Sequence, residues 1–212
     1  MYKFYTEGID HFEIALSPKG VMAAVDTLAY THETIRAVVV CNGLKATFAV
    51  RPTFSGVLNA YNGSYVHLSL NPGPDVSAFL AGILLKIPTL CAIGMANLDS
   101  YVCIGSDGTG EWIGYGIENR GLLIRLISDN YWEIRYADAT ANMYLFLALV
   151  LFAGSAGISR SEPLVWKDLK LFPFNMSEEA LAKYGIWSLR FANISGSHTG
   201  ASSPPTGAPN TS

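Results

Sequence analysis

Polar and apolar positions alternate along several short stretches of this chain and recur at three-to-four spacing in longer ones. Residues 11–16 (HFEIAL) set Phe12, Ile14 and Leu16 on one face and His11 and Glu13 on the other, the pattern of a half-buried strand. Residues 45–51 (KATFAVR) alternate likewise, and residues 65–70 set Tyr65, His67 and Ser69 against Val66, Leu68 and Leu70. Residues 120–127 and 131–136 predict two strands joined at Ser128-Asp129-Asn130, a hairpin signal. Helical spacing runs through Val21, Val25, Leu28, Ile35 and Val39, with Asn42-Gly43 as its stop. A second helix is expected over 75–96, broken near Pro88. A buried helix is expected over 140–154, and a short one from Ser177 to Gly185. Residues 53–64 read as a loop. Residues 104–118 are glycine-rich but lack the GK[ST] ending and the strand–loop–helix setting of a phosphate loop.

Each strand has an apolar face and a face of polar or ionisable groups, and the long helices are apolar enough to cover a sheet. The expected fold class is therefore α+β: an antiparallel sheet with helices packed on one face and a polar face left open. Strict βαβ alternation is missing, which argues against a doubly wound nucleotide fold. Residues 1–194 read as one folded unit. From residue 195 the chain is dominated by Ser, Thr, Gly and Pro, a composition expected to be disordered.

Composition sharpens this picture at three points. Half of the 212 residues are apolar and 15% are charged, enough apolar surface for a sizeable core. The formal net charge of −3 and scattered basic residues argue against nucleic acid as a partner. Cys41, Cys91 and Cys103 are an odd number with no short pair spacing, so neither a disulfide framework nor a zinc knuckle is expected; Cys91 and Cys103 read as buried thiols. The first residues lack the basic and apolar regions of a signal peptide. The apolar stretch 143–153 is about half the ~20 residues a membrane span needs, and the stretch 79–96 carries Lys86 and Pro88. Both read as buried helices, with no membrane partner and a cytoplasmic location expected.

The polar strand faces collect His11 and Glu13; Arg51; Tyr65, His67 and Ser69; Arg120 and Arg125; and Tyr131, Glu133 and Arg135. Carboxylates take hard cations such as Mg²⁺, and arginines clamp carboxylates and phosphates with paired donors. The same residues also suit a solvent-facing sheet laced with cross-strand pairs. Strict alternation puts Arg120 and Arg125 on opposite faces, so one site holds both only through a bend or loop. His32 reads as helix packing. No Ser-His-Asp or Cys-His arrangement has a recognisable local setting.

Two longer motifs are more specific. GYGIENRGLLIR and WEIRYADATANMYL, preceded by HFEIALSP, RPTF and GSYVHLSL, resemble in order the catalytic domain of glutamine synthetases, over roughly residues 7 to 187. The resemblance implies ATP and divalent metal, Mg²⁺ or Mn²⁺, used to join glutamate to ammonia or another amine through a γ-glutamyl phosphate. It implies metal ligation by Glu13 and Glu133. It implies Arg120 and Arg125 as catalytic residues holding the glutamate carboxylate and the phosphoryl group. Arg51, His67, Ser69 and Arg135 match substrate- or nucleotide-binding positions, and a homo-oligomer is expected.

The chain also departs from the family pattern. Tyr65 stands at the position of a metal-binding histidine, and a neutral phenol is a poor Mg²⁺ ligand. Cys103 stands where the family has an arginine, Asp10-His11 where it has Gly-Gln, and Met143 where it has proline. The loop between Ser100 and Asn119 looks shortened, Glu7 is out of register with a further metal glutamate, and the family's N-terminal β-grasp domain is not in the sequence. The expected function is a glutamate–amine ligase with impaired activity. The alternative is a non-catalytic domain that binds a nucleotide or partner.

Overall fold

The computed structural model describes residues 3–8, 11–52, 62–71, 75–102, 104 and 110–189. Two strands, β1 (Lys3–Gly8) and β2 (His11–Ala15), form a separate antiparallel pair. Helix α1 (Val21–Cys41) follows. The main sheet is built from β3 (Val66–Ser69), β4 (Trp112–Ile117), β5 (Leu122–Ser128), β6 (Tyr131–Ile134) and the short β7 (Trp187–Ser188), in the order β3-β6-β5-β4-β7. Helices α2 (Val76–Gly94), α3 (Leu98–Val102), α4 (Met143–Ser159) and α5 (Glu178–Ala182) complete the fold. The α+β class holds, with one amendment: β4 and β5 run parallel while the other neighbours are antiparallel.

Most ends follow from local chemistry. Asp75, Asn142 and Ser177 cap α2, α4 and α5 by accepting from Ala78 N, Leu145 N and Ala180 N. Helix α1 ends where Asn42 is followed by Gly43 at φ +71°. The β5–β6 hairpin turns at Asp129-Asn130, with Asn130 at φ 60° and Ser128 paired with Tyr131.

Three expectations are corrected. Residues 45–51 are not a strand: they lie irregularly, and Phe48 stacks on His32 at 4.1 Å instead of joining a sheet. Pro88 does not break α2, which is helical on both sides of it; its surroundings, with Ile87, Leu90 and Cys91 buried, hold the helix together through tertiary packing. The glycine-rich stretch conceals β4, whose Gly114 and Gly116 are needed because an added Cβ would strike Ile186 and the Leu169 carbonyl. Cys91 is buried as expected, and Cys103 lies outside the described residues, as does the tail beyond residue 189.

The core is the apolar side of the sheet under α2 and α4. Ile124, Trp132 and Ile134 meet Phe79, Ile83, Phe146 and Val150, with Leu68 and Leu126 packed alongside. Helix α2 is long and apolar enough to cross a membrane by length and composition, but eleven of its residues are buried in this fold. The two helices cross almost backbone to backbone. A Cβ on Gly82 would lie 2.3 Å from the Ala153 carbonyl, and one on Gly157 would lie 2.2 Å from the Ala78 carbonyl.

Two outcomes follow from this packing. Gly→Ala normally stabilises a helix, but Gly82→Ala is expected to destabilise by about 1–3 kcal/mol because backbone must move aside; urea unfolding measures it. His32 has a pKa lowered from 6.5, first by burial and then by Arg36. The unfolded chain therefore takes the proton first, and stability falls as pH drops through about 6.5 until the folded histidine also titrates. In His32→Phe the urea midpoint should fall less between pH 7.5 and 5.5 than in the parent protein.

Candidate functional site: the polar face of the sheet

The register of β3, β6 and β5 lines up three ionisable residues. His67 lies opposite Glu133, and Glu133 lies opposite Arg125. Alternation along β6 adds Tyr131 to the same face as Glu133. Arg135 follows just past the strand, where its backbone N–H donates to the Leu123 carbonyl at 3.0 Å.

At the centre is Glu133, 3% exposed. Its Oε2 accepts from Arg125 Nη1 at 2.6 Å, and its Oε1 accepts from Arg135 Nη1. His67 Nε2 lies 4.0 Å from Oε2, while His67 Nδ1 and the Tyr131 hydroxyl are hydrogen-bonded at 2.7 Å. The Arg135 guanidinium covers the Tyr65 ring, 4.3 Å from its centroid, and Nη2 donates to the Tyr65 hydroxyl at 3.4 Å. Arg135 Nε is buried with no hydrogen-bond partner among the described residues. The far side of Arg125 is closed by Glu118, whose Oε2 accepts from Arg125 Nε at 3.0 Å and from Nη2. Burial works against charge on Arg125, but the bonds to Glu118 and Glu133 and their charges outweigh it and raise its pKa.

The turn carrying Glu118 is a tight device. Parallel strands ordinarily need a long crossover, yet only residues 118–121 separate β4 from β5. Glu118 takes φ 52°, and its N–H donates to the Leu126 carbonyl at 2.9 Å. Buried Asn119 then braces the reversal: its Nδ2 donates to the Leu169 and Leu171 carbonyls at 2.7 and 2.9 Å, and its Oδ1 accepts from Gly121 N at 3.0 Å.

The expected site residues therefore divide. Tyr65, His67, Arg125, Glu133 and Arg135 come together. Glu13 is on the separate β1–β2 pair, exposed, so the two expected metal glutamates are on different sheets. Arg120 is exposed on the β4–β5 turn, Arg51 is exposed in an irregular segment, and Ser69 is exposed opposite Tyr131; among the described residues none of the three bonds to the Glu133 cluster. The sequence reading missed Glu118 and Asn119. The one available signal was their place in the ENR tripeptide directly before a strand holding Arg125.

Among the described residues the donor set does not fit a divalent ion. Among the described residues no group of three or more His, Cys, Asp or Glu side chains is placed to hold one. Both Glu133 oxygens already face guanidinium cations, which repel a second cation. The face is suited instead to oxyanions, for which guanidinium groups are the matching partners.

A sequence model of the family described as "Glutamine synthetase, catalytic domain" matches residues 5–185. Protein fluG of Emericella nidulans is 36% identical over 189 residues, covering 88% of this chain and 22% of that protein. Gamma-glutamylpolyamine synthetase GlnA3 of Streptomyces coelicolor is 29% identical over 199 residues, covering 82% of this chain and 42% of the relative. The chain thus spans less than half the length of either. Among solved structures, a GmaS/ADP complex shares the fold, with TM-score 0.66 at 24% identity over 77% of this chain and 42% of that one. A novel glutamine synthase homolog gives TM-score 0.57 at 28% identity over 67% of this chain and 39% of that one.

Removing the Glu133 carboxylate leaves two guanidinium groups facing each other in a low-exposure site. Glu133→Ala is expected to cost about 3–5 kcal/mol of stability. Tyr131→Phe, which removes one exposed-edge hydrogen bond, should cost about 1 kcal/mol. Thermal unfolding of both variants beside the parent protein checks the contrast.

Proposed function

The chain belongs to the glutamine synthetase catalytic-domain family, and from that premise we propose that it binds the oxyanion substrates of ATP-dependent glutamate–amine ligation, with impaired turnover of its own. The observation that carries this is the row of Arg125, Glu133 and His67 across three strands, with Arg135 closing it. In the ligation, the γ-carboxylate of glutamate attacks the γ-phosphorus of ATP, giving an acyl phosphate and ADP. An amine then attacks the acyl carbon, loses a proton, and phosphate leaves. Every species before release carries carboxylate or phosphate oxygens, and protein cations positioned beforehand stabilise them.

Arg125, fixed through Glu133, and the exposed Arg120 in the turn between β4 and β5 are the groups we assign to those oxygens. Arg135 acts by holding Glu133 and so positioning Arg125. His67 and Ser69 edge the same face. No step is assigned to a divalent ion, since the described residues do not fit one. Family enzymes depend on ATP and divalent metal, and this mismatch, together with Tyr65 at a histidine position, supports impairment. The same mismatch favours a second reading, a non-catalytic domain that binds a nucleotide without turnover.

Calorimetry with ATP and with L-glutamate, each with Mg²⁺ and with chelator, tests the proposal. Binding that persists in chelator and weakens at least tenfold, about 1.4 kcal/mol, in Arg125→Lys is expected, because an ammonium cannot reproduce the guanidinium fork. No detectable heat from a demonstrably folded sample would overturn it. Amide formation from glutamate and an amine separates the two readings: slow product supports the ligase, and binding with none supports the binding domain.

A further inference from the structure

We infer that Glu118 is an internal competitor that occupies the oxyanion subsite at Arg125 and must swing away before a carboxylate or phosphate ligand binds there. This rests on the proposed oxyanion binding and adds a specificity device to the same site.

Three observations point to it. First, Glu118 uses the donors a ligand would use. Arg125 gives Nη1 to Glu133 and gives both Nε and Nη2 to Glu118 Oε2. The Nε–Nη2 edge is the paired-donor edge with which arginine binds carboxylate and phosphate. Second, the two carboxylates on Arg125 differ in kind. Glu133 is 3% exposed and is also held by Arg135, whereas the Glu118 side chain is 56% exposed and holds only Arg125 among the described residues. Glu133 is fixed, and Glu118 is free to leave into water. Third, the backbone beneath Glu118 is pinned in a conformation that L residues rarely adopt. It has φ 52°, with its N–H bonded to the Leu126 carbonyl and Asn119 locked behind it. Residues held in sparsely populated backbone regions cluster at active sites, ligand clamps and switch regions. The pinned backbone means that opening moves the side chain alone.

Charge gives the direction. Closed, the chain Glu118–Arg125–Glu133–Arg135 alternates in sign and carries −2 and +2, net zero. Open, the remaining three carry −1 and +2, net +1, and attract an anion. A half-exposed ion pair is worth up to about 1 kcal/mol, which corresponds to a closed state favoured about fivefold. A ligand that needs the open state has its apparent affinity lowered by that factor.

The test is calorimetric titration of L-glutamate, ATP and inorganic phosphate into the parent protein, Glu118→Gln and Glu118→Gly. Glutamine keeps the shape and removes the charge; glycine also relieves the positive φ, so at least one variant folds. About fivefold tighter binding in both variants is expected. The glutamate and phosphate arms show which oxyanion takes the subsite. Equal affinity in parent and variants, with binding still lost in Arg125→Lys, would overturn the competitor while leaving the proposed function standing. Weaker binding in the variants would also overturn it, making Glu118 a ligand-binding group instead. No binding of any probe to any form would overturn the proposed function and the competitor with it.

Discussion

A carboxylate removed from water needs partners from the protein in place of the water it loses, and that requirement at Glu133 organises the polar half of this protein. Two guanidinium groups meet it from opposite oxygens, Arg125 from the neighbouring strand and Arg135 from two residues along the same chain. Neither arrives by chance of packing. Arg125 is opposite Glu133 because the hairpin register puts it there, and a slip of one residue would leave the two on opposite faces of the sheet. The Asp129-Asn130 turn sets that register, so a two-residue reversal at the surface determines which charges meet in the site.

A second constraint lies on the other side of β5. Its parallel neighbour β4 reaches it through four residues, which is possible because Asn119 replaces missing backbone partners with side-chain bonds to the segment around Leu169. The asparagine and glycine of that turn hold shape, and the glutamate and arginine beside them hold charge. In the same way the WEIRYADATAN stretch splits between roles. Glu133 and Arg135 carry the site, Asp138 accepts from Thr140 N to make the turn into α4, and Asn142 caps that helix. Long motifs of this kind mix chemistry with scaffolding, and only the fold separates the two.

The hairpin, the polar face of β3 and the helices α1, α4 and α5 were legible in the sequence, because each combines a clear period with a stop signal. Strand β4 was hidden because glycines there serve close packing and dilute the alternation. Residues 45–51 alternate for a different reason: Phe48 and Val50 turn inward from an irregular segment, against His32 and the core. Period alone does not report whether a neighbouring strand is present. Of the site, residues that pair across the sheet could be placed from alternation. Glu118 could not, since its contact with Arg125 depends on a left-handed turn residue that no periodicity encodes. That Glu13 and Glu133 stand on different sheets was equally invisible, because it depends on which strands join the main sheet.

The glycine crossing of α2 and α4 has a consequence for how this fold tolerates change. Stability is stored largely on the side of the sheet away from the charged row, in contacts where no side chain larger than hydrogen fits. Exposed positions such as Tyr65, His67 and Ser69 contribute little to that store. Their identities can drift, and the chemistry with them, while the scaffold underneath continues to fold to the same shape. At those exposed positions, unlike at buried Glu133, change of function and loss of structure are separate events.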